Sequence, residues 1–321
     1  MECSVVAPLP QNDSSSVRVT VLMCTYNGER FLPQQLDSIA RQSYPNWNIV
    51  VSDDGSTDAT LEILRNYSES WGEGKLIVRQ GPKRGFAANF MSATCDDVAE
   101  SDFYAWADQD DIWQDNKLET ALQRLQGLPS DIPALYCART ELISDTGAVT
   151  GHSPLFRRPT SFANALVQSI AGGNTMVFNR AARQIFQQAG SHLGIVSHDW
   201  WAYLLVSGVG GQVLYDVSPT IHYRQHEANL IGSNSGVRAR LMRLRMMFSG
   251  RFRGWSQQNI MALDSIHSFL TEENRLKLEQ FKKARSSHGL ARFVLLRRSG
   301  VYRQTHWGNL GLVLAAVFNK I

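Results

Sequence analysis

Strand-like and helix-like segments alternate along the first part of this 321-residue chain. Short runs rich in β-branched and apolar residues have the pattern of buried strands, at 17–24, 47–51, 76–78 and 103–106. Apolar residues at helical spacing follow each run, at 31–39, 61–67, 86–94 and 118–125. This order predicts βαβ units, and therefore an α/β fold in which helices cover both faces of a mostly parallel sheet.

The pattern becomes less regular after Ile132, and the stretch up to about Pro159 is rich in loop-forming residues. Further strands are predicted at 134–138, 176–178, 213–215 and 220–223. An apolar helix is predicted to open at Ser197, and basic helices are predicted beyond Asn229. We therefore expect an α/β body followed by a helical C-terminal extension.

Polar clusters follow three of the predicted strands, at 25–27, 53–54 and 108–111. Because ligands of such sheets bind beyond the carboxyl ends of the strands, we expect the clusters to meet at one edge. Asp108, Asp110 and Asp111 repel one another unless water or a cation offsets their charge. Mg²⁺ prefers one or two carboxylates together with phosphate oxygens, so this cluster predicts a metal-bridged phosphate site. The alternative is an acidic, solvated turn that caps the helix starting near Asp115.

Three motifs resemble, in order, those of family 2 glycosyltransferases with the GT-A fold: Thr25-Tyr26-Asn27-Gly28-Glu29, Ser52-Asp53-Asp54-Gly55-Ser56-Thr57-Asp58 and Asp108-Gln109-Asp110-Asp111-Ile112-Trp113. Two later segments resemble elements of the bacterial rhamnosyltransferase-like branch, His198-Asp199-Trp200-Trp201 and Tyr223-Arg224-Gln225-His226. The resemblance covers residues 17–230. It implies inverting transfer of a sugar from a nucleotide-sugar, dTDP-L-rhamnose in this branch, to a hydroxyl of a cell-surface glycan or lipid-linked acceptor.

The resemblance also implies roles for individual residues. It assigns nucleotide-sugar binding to Thr25, Tyr26, Asn27, Glu29, Asp53, Asp54, Arg84, Asn89, Asp108 and Arg224. Asp108 and Asp110 match the family's D-x-D element, which positions Mg²⁺ or Mn²⁺ and the diphosphate, and His226 is a candidate third ligand. Structural alternatives remain: Asp53 or Asp54 caps a helix, Arg84 lies in a solvated loop, His226 is structural, and Asp111 caps the following helix.

Asp199 matches the position of the family's catalytic base. Single-displacement inversion needs such a base to take the proton of the acceptor hydroxyl. A helix N-terminus keeps an Asp ionised, as a base must be, although Asp199 or Ser197 can also serve there simply as a cap. Trp113, His198 and Trp200 are candidate acceptor or sugar contacts, and core packing is the alternative for the paired Trp200 and Trp201. The QxxRW motif of processive polysaccharide synthases is absent.

Charge is distributed unevenly along the chain. Residues 1–227 contain 16 Lys+Arg and 25 Asp+Glu, whereas residues 228–321 contain 16 Lys+Arg and 4 Asp+Glu. We therefore divide the chain into a flexible tail at 1–16, a GT-A domain at 17–230 and a basic helical region at 231–321. The basic region is expected to meet an anionic membrane surface, with packing on the acidic body as the alternative. Nucleic acid is not an expected partner, because the basic segments lack interleaved aromatic platforms.

Cysteine usage and targeting signals favour the cytoplasm. The four cysteines are widely spaced without a CxxC pair, which favours buried free thiols. The first 16 residues lack the pattern of a signal peptide, and no 18-residue apolar run is present. We expect a cytoplasmic protein on the inner face of the cytoplasmic membrane. Two alternative functions remain, a nucleotidyltransferase, which usually carries a Gly-rich Lys loop after its first strand, and a non-catalytic nucleotide-sugar or membrane-binding module.

Overall fold

The computed structural model describes residues 17–96, 100–225 and 250–321. Its strands are β1 (Val19–Thr25), β2 (Trp47–Asp53), β3 (Leu76–Gln80), β4 (Phe103–Ala107), β5 (Ile112–Trp113), β6 (Ala134–Ala138), β7 (Glu141–Ile143), β8 (Val149–His152), β9 (Val177–Asn179), β10 (Gln212–Asp216) and β11 (Ile221–Arg224). Its helices are α1 (Leu32–Ala40), α2 (Thr60–Trp71), α3 (Phe86–Cys95), α4 (Lys117–Leu125), α5 (Phe162–Ala165), α6 (Arg180–Ala189), α7 (His198–Gly208), α8 (Arg251–Ser265), α9 (Glu272–Ser286), α10 (Gly289–Arg298) and α11 (His306–Val317).

Seven strands form the central sheet in the order β10-β6-β9-β4-β1-β2-β3. All neighbours are parallel except β9, which runs antiparallel to both β4 and β6. Alternate residues of β1 enter two different cores, since Val21 packs with residues of α1 and α4 while Leu22 packs with residues of α3 and α7. The predicted mostly parallel, doubly covered sheet is confirmed.

The register of the central strands brings the polar clusters together. Thr25 at the end of β1 lies beside Asp53 at the end of β2, and Met23 lies beside Ala107 at the end of β4. Residues 25–27, 53–54 and 108–111 therefore leave the sheet at the same edge, as the sequence predicted.

A second, four-stranded sheet has the order β5-β11-β7-β8, and of its strands only β11 was predicted from the sequence, at 220–223. β5 has two residues, and β8 is polar and mostly exposed, so neither shows the apolar pattern that reveals a strand. Helix α6 was also missed, because half of its residues are Arg or Gln. The second sheet matters because the acidic loop 108–111 leads from β4 into β5, and β5 pairs with β11.

The C-terminal helices pack on the catalytic body through α7. Leu263 of α8 and Phe281 of α9 share one hydrophobic core with Trp201. The Asn274 side-chain amide donates to the carbonyls of Ser207 and Gly208, 3.0 Å each, and so satisfies the end of α7. The helical extension is confirmed over residues 251–317, and the predicted tail at 1–16 and the basic stretch at 228–249 lie outside the described residues.

Within the described residues, no helix is both long and apolar enough to cross a bilayer. Cys24, Cys95 and Cys137 are free thiols, as expected.

Candidate active site

The loops after β1 and β2 are built around the Asp53 carboxylate. Asp53 is buried, and it accepts hydrogen bonds from the Thr25 hydroxyl at 2.8 Å and the Ser56 hydroxyl at 2.6 Å. The backbone amides of Gly55 and Ser56 donate to its other oxygen at 3.1 and 2.8 Å. Charge-assisted bonds of this kind are strong, so Asp53 holds the two strand ends together.

The side chains of Asn27 and Glu29 join the same two loops. Asn27 adopts a left-handed conformation and accepts from the Thr57 amide at 2.8 Å. The Glu29 carboxylate accepts from the Ala59 amide at 2.9 Å, at the start of α2. Tyr26, directly before Asn27, is exposed. Asn27 and Glu29 thus shape the loop that presents Tyr26 to the edge of the sheet.

Asp54 and Asn89 fasten the loop between β3 and α3. Asp54 accepts from the amides of Lys83 at 2.6 Å and Gly85 at 2.8 Å, while Arg84 between them is exposed. The buried Asn89 amide donates to the Ser52 carbonyl at 2.8 Å. These contacts bring the loop that carries Arg84 to the edge where Asp53 lies.

The carboxylates of Asp108, Asp110 and Asp111 lie close enough to share one ion. Each offers an oxygen within 4.8 Å of the oxygens of the other two. Burial, together with the charges of Asp110 and Asp199, raises the pKa of Asp108 to about 8. Burial and the charges of Asp110 and Asp108 also raise the pKa of Asp111 well above its usual range. The cluster is electrostatically costly in the protein alone.

Gln109 was assigned no role from the sequence, yet it connects the acidic loop to the loop after β1. Its side-chain oxygen accepts from the Tyr26 amide at 2.9 Å, and its side-chain nitrogen donates to the Tyr26 carbonyl at 3.0 Å. A Cβ at Gly28 would lie 2.3 Å from the same oxygen, so a larger residue here would displace the Gln109 side chain. Gly28 and Gln109 both stand in the recognised motifs, which was the available signal.

Asp111 is held by protein groups on two sides. The buried Asn174 amide donates to one oxygen at 2.5 Å, and the backbone amide of Arg224 donates to the other at 3.2 Å. Asn174 lies in the 3₁₀ turn Gly173–Thr175, which the sequence showed only as a Gly-Gly-Asn-Thr segment. Asp111 therefore acts as a support for the acidic loop and does not cap α4.

Arg224 was predicted to bind the nucleotide-sugar, but its guanidinium contacts protein acceptors. It donates to the carbonyls of Asp110 at 3.0 Å and Asp145 at 2.9 Å, and to the Gln34 side chain at 2.6 Å. It also lies 4.5 Å from the centre of the Phe31 ring, a cation–π contact. The side chain is buried, so this geometry favours positioning of the acidic loop over contact with a diphosphate.

Helix α7 brings Asp199 to the acidic cluster. Asp199 lies in the first turn of the helix, and its carboxylate accepts from the Trp200 amide at 2.7 Å. Burial raises the pKa of Asp199, while hydrogen bonds from Ser197 and the helix N-terminus lower it. The charge of Asp199 in turn raises the pKa of Asp108, so the two carboxylates lie close enough to interact. The predicted base and the predicted metal ligands thus lie in one site.

His198 is enclosed behind Asp199. Its imidazole stacks on Phe90, with ring centres 4.0 Å apart, and meets Trp106 edge-on at 4.8 Å. Neither ring nitrogen has a hydrogen-bond partner, and burial lowers the pKa of His198 to about 3. A Cβ at Gly173 would lie 2.0 Å from the ring, so the glycine makes room for the imidazole. His198 fits a neutral packing residue that orients the start of α7.

The two predicted aromatic contacts are also packed inside. The Trp113 ring is 1% exposed and lies beside Lys117, whose ammonium group is 4.0 Å from the ring centre. Trp200 is buried, and its indole nitrogen donates to the Ala165 carbonyl at 2.7 Å. Both rings therefore pack in the core, and neither offers an open face to a sugar.

The acidic cluster fits a hard divalent cation such as Mg²⁺ or Mn²⁺. Its oxygens converge and their charges oppose one another, which a cation would offset. Since Asp111 is already bonded to Asn174 and Arg224, Asp108 and Asp110 are the residues that would hold the ion. His226, the third predicted ligand, lies outside the described residues.

Comparison of the sequence with known proteins identifies relatives of this chain. The sequence model of glycosyl transferase family 2 matches residues 20–186. The chain is 29% identical over 242 residues to the dTDP-rhamnosyl transferase RfbG of Shigella flexneri, covering 72% of this chain and 81% of the relative. It is 31% identical over 131 residues to the UDP-Glc:alpha-D-GlcNAc-diphosphoundecaprenol beta-1,3-glucosyltransferase WfgD of Escherichia coli, covering 41% and 49%.

Solved structures confirm the fold. The structure of S. aureus TarS residues 1–349 superimposes with a TM-score of 0.52 at 16% identity, covering 88% of this chain and 90% of that one. The same protein in complex with UDP-GlcNAc gives a TM-score of 0.50 at 18% identity, covering 89% and 93%.

Proposed function

Because the chain belongs to glycosyl transferase family 2 and is a glycosyltransferase that uses a nucleotide-sugar, we propose that it transfers the sugar with inversion of configuration at the anomeric carbon, in a metal-dependent reaction. The donor is dTDP-L-rhamnose, and the acceptor is a hydroxyl of a cell-surface glycan or lipid-linked glycan. The rhamnose assignment is supported by the likeness to RfbG over most of both chains. The nucleotidyltransferase and the non-catalytic module are set aside, because the family match identifies a glycosyltransferase.

The observation that carries this proposal is the convergence of Asp199 with Asp108 and Asp110. Two distinct groups are needed for inversion, a base for the acceptor and a site for the departing diphosphate. The helix α7 supplies the first and the loop after β4 supplies the second, and both face one space.

In the proposed reaction the acceptor oxygen attacks the anomeric carbon, and the bond from that carbon to the phosphate oxygen breaks. The acceptor proton moves to the Asp199 carboxylate, and the nucleoside diphosphate leaves with the bonding electron pair. When bound, the cation would offset the charge of the diphosphate. The loops fixed by Asp53 and Asp54 present Tyr26 and Arg84 at the nucleoside side of the same edge.

Location at the inner face of the cytoplasmic membrane is part of the proposal. It places the enzyme where a lipid-linked acceptor is exposed, and the basic composition after residue 228 supports attraction to an anionic surface.

Donor specificity and metal dependence can be tested together on the purified full-length chain. We expect dTDP release from dTDP-L-rhamnose in Mg²⁺ or Mn²⁺, with background rates from UDP-glucose, UDP-GlcNAc and GDP-mannose. Chelation with EDTA should reduce release to background, and added Mn²⁺ should restore it. Equal release from UDP-glucose would overturn the rhamnose assignment, and full activity in EDTA would overturn the metal dependence.

A further inference from the structure

Helix α11 exposes one apolar side. Trp307 is 73% exposed, and Leu310, Val313, Val317 and Phe318 are each exposed by about half. At 100° per residue these five positions fall within one arc of about 140° around the helix axis. The opposite side carries Ala315 and Ala316, which are buried against the protein. One side of the helix is therefore packed, while the other presents apolar groups to the surroundings.

Helix α10 adds a second apolar row and is fixed to α11. Leu290, 80% exposed, and Val294 lie one turn apart on its outer side, and exposed Arg297 follows in the same row. The buried Arg292 donates to the Ala316 carbonyl at 2.6 Å and the Asn319 side chain at 2.8 Å, joining the two helices. The α10–α11 face, as it is called below, consists of Leu290, Val294, Trp307, Leu310, Val313, Val317 and Phe318.

The segment that carries this face is rich in cations and contains no acidic residue. From Gln280 to Ile321 the sequence contains eight Lys or Arg residues and no Asp or Glu. Lys283, Arg297 and Arg298 are exposed there. An apolar surface that includes a Trp and is accompanied by cations has the chemistry of a helix that lies in an anionic membrane interface. Simple exposure to water does not explain these apolar side chains, since large exposed apolar patches usually mark interaction sites.

We propose that the α10–α11 face docks on an anionic lipid bilayer, with α11 lying in the plane of the lipid headgroups. Its 12 residues span about 18 Å, less than the roughly 30 Å hydrocarbon core, so the helix inserts along the surface and does not cross. The arginines near it contact the lipid phosphates. The inference deepens the proposed function, on which it relies only for the identity of the membrane.

Vesicle flotation of the full-length protein tests this surface. We expect the chain to float with phosphatidylcholine vesicles that contain phosphatidylglycerol, and much less with phosphatidylcholine alone. The double variant Trp307→Ser, Val317→Ser should lower the bound fraction at least about tenfold, because it removes two exposed apolar anchors. The matched control is Met261→Ser, Leu276→Ser, at apolar positions 64% and 58% exposed on α8 and α9, which should float like the wild type.

The outcomes separate this inference from the proposed reaction. Failure of the wild type to float with anionic vesicles, or flotation of the Trp307→Ser, Val317→Ser variant at wild-type levels, overturns the docking surface. The docking surface is also overturned if the wild type does not float but forms a dimer, and the double variant is a monomer. That result would assign the α10–α11 face to contact with a second copy of the chain. Sugar release in vesicle-free buffer is measured in parallel, and all variants should keep it because none alters the site. Circular dichroism confirms that each variant is folded.

Discussion

The loops after β1 and β2 and the acidic loop after β4 lie at the same edge of the sheet, but the surroundings of their carboxylates differ. Asp53 is surrounded by the donors of Thr25, Gly55 and Ser56, so its charge is satisfied within the protein. Asp108 is surrounded by further carboxylates, which together with burial raise its pKa to about 8. The comparison teaches that one half of the site is complete in the free protein, whereas the other becomes complete only when a cation or ligand binds.

The largest expected effect comes from Asp199→Asn. If Asp199 removes the acceptor proton, its loss should lower kcat about a thousandfold, within the usual range for a general base. The nearly isosteric amide can still accept from the Trp200 amide, so α7 should stay in place. Because Asp108 and Asp110 are the residues that would hold the ion and both remain, binding of dTDP and Mn²⁺ should survive the substitution. Initial rates and calorimetric titration with dTDP and Mn²⁺ measure the two effects.

Asp115→Asn is the matched control for this experiment. Asp115 is an exposed carboxylate just beyond the acidic loop and pairs with Arg41 at 3.7 Å on the surface. Its loss should leave kcat within about twofold, since an exposed ion pair contributes little. An Asp199→Asn enzyme with normal turnover would remove Asp199 from the mechanism.

The comparison also predicts opposite stability effects for two chemically identical substitutions. Asp53→Asn should lower the free energy of unfolding by about 2 kcal/mol, because an amide cannot accept from all the donors that meet the carboxylate. Asp108→Asn should raise it by about 1 kcal/mol in metal-free buffer at neutral pH, because the wild-type carboxyl must take up a proton on folding, as its pKa of about 8 requires, whereas an amide need not.

Urea unfolding in the presence of EDTA measures both changes. Added Mn²⁺ should then stabilise the wild type and the Asp53→Asn variant, and stabilise Asp108→Asn less, since one ligand is lost. Destabilisation of similar size in both variants would show that the two loops do not differ in the way proposed.

The sequence predicted the central sheet and the meeting of its polar clusters because buried strands and strand-end motifs are local patterns. Parallel pairing brings the ends of β1 and β2 to the same edge, where Thr25 lies beside Asp53. The side-chain bonds within the site were not predictable in this way. Gln109 contacts Tyr26 across 83 positions of the chain, and Arg224 contacts Gln34 across 190.

Arg224 and His198 show why motif residues can be found while their roles are misjudged. Both were predicted as ligand contacts from the motifs that carry the family resemblance. Packing decides the matter instead, because Arg224 is enclosed by protein acceptors and His198 by aromatic rings. A linear pattern carries no information on which neighbours a side chain acquires from distant segments.

The last expected effect is a pH-dependent one at His198, which lies behind the acidic side of the site. Since burial lowers its pKa to about 3 from 6.5, the unfolded chain takes up a proton near neutral pH that the folded protein does not. The contribution of His198 to the free energy of unfolding is therefore fully present above the pKa of the unfolded chain, and it is lost as the pH falls below that pKa. The loss between neutral pH and about pH 5 should be about 2 kcal/mol.

His198→Phe should abolish that loss, since the ring keeps its place between Phe90 and Trp106 without a titratable nitrogen. The exposed His306 provides the control, because His306→Phe should retain the wild-type dependence on pH. Urea unfolding at both pH values gives the difference for each variant. The free energy of unfolding of His198→Phe could instead still fall by the same amount, roughly 2 kcal/mol for one buried histidine. The wild-type imidazole would then have a polar partner in solution, and the open side of the site would extend behind Asp199.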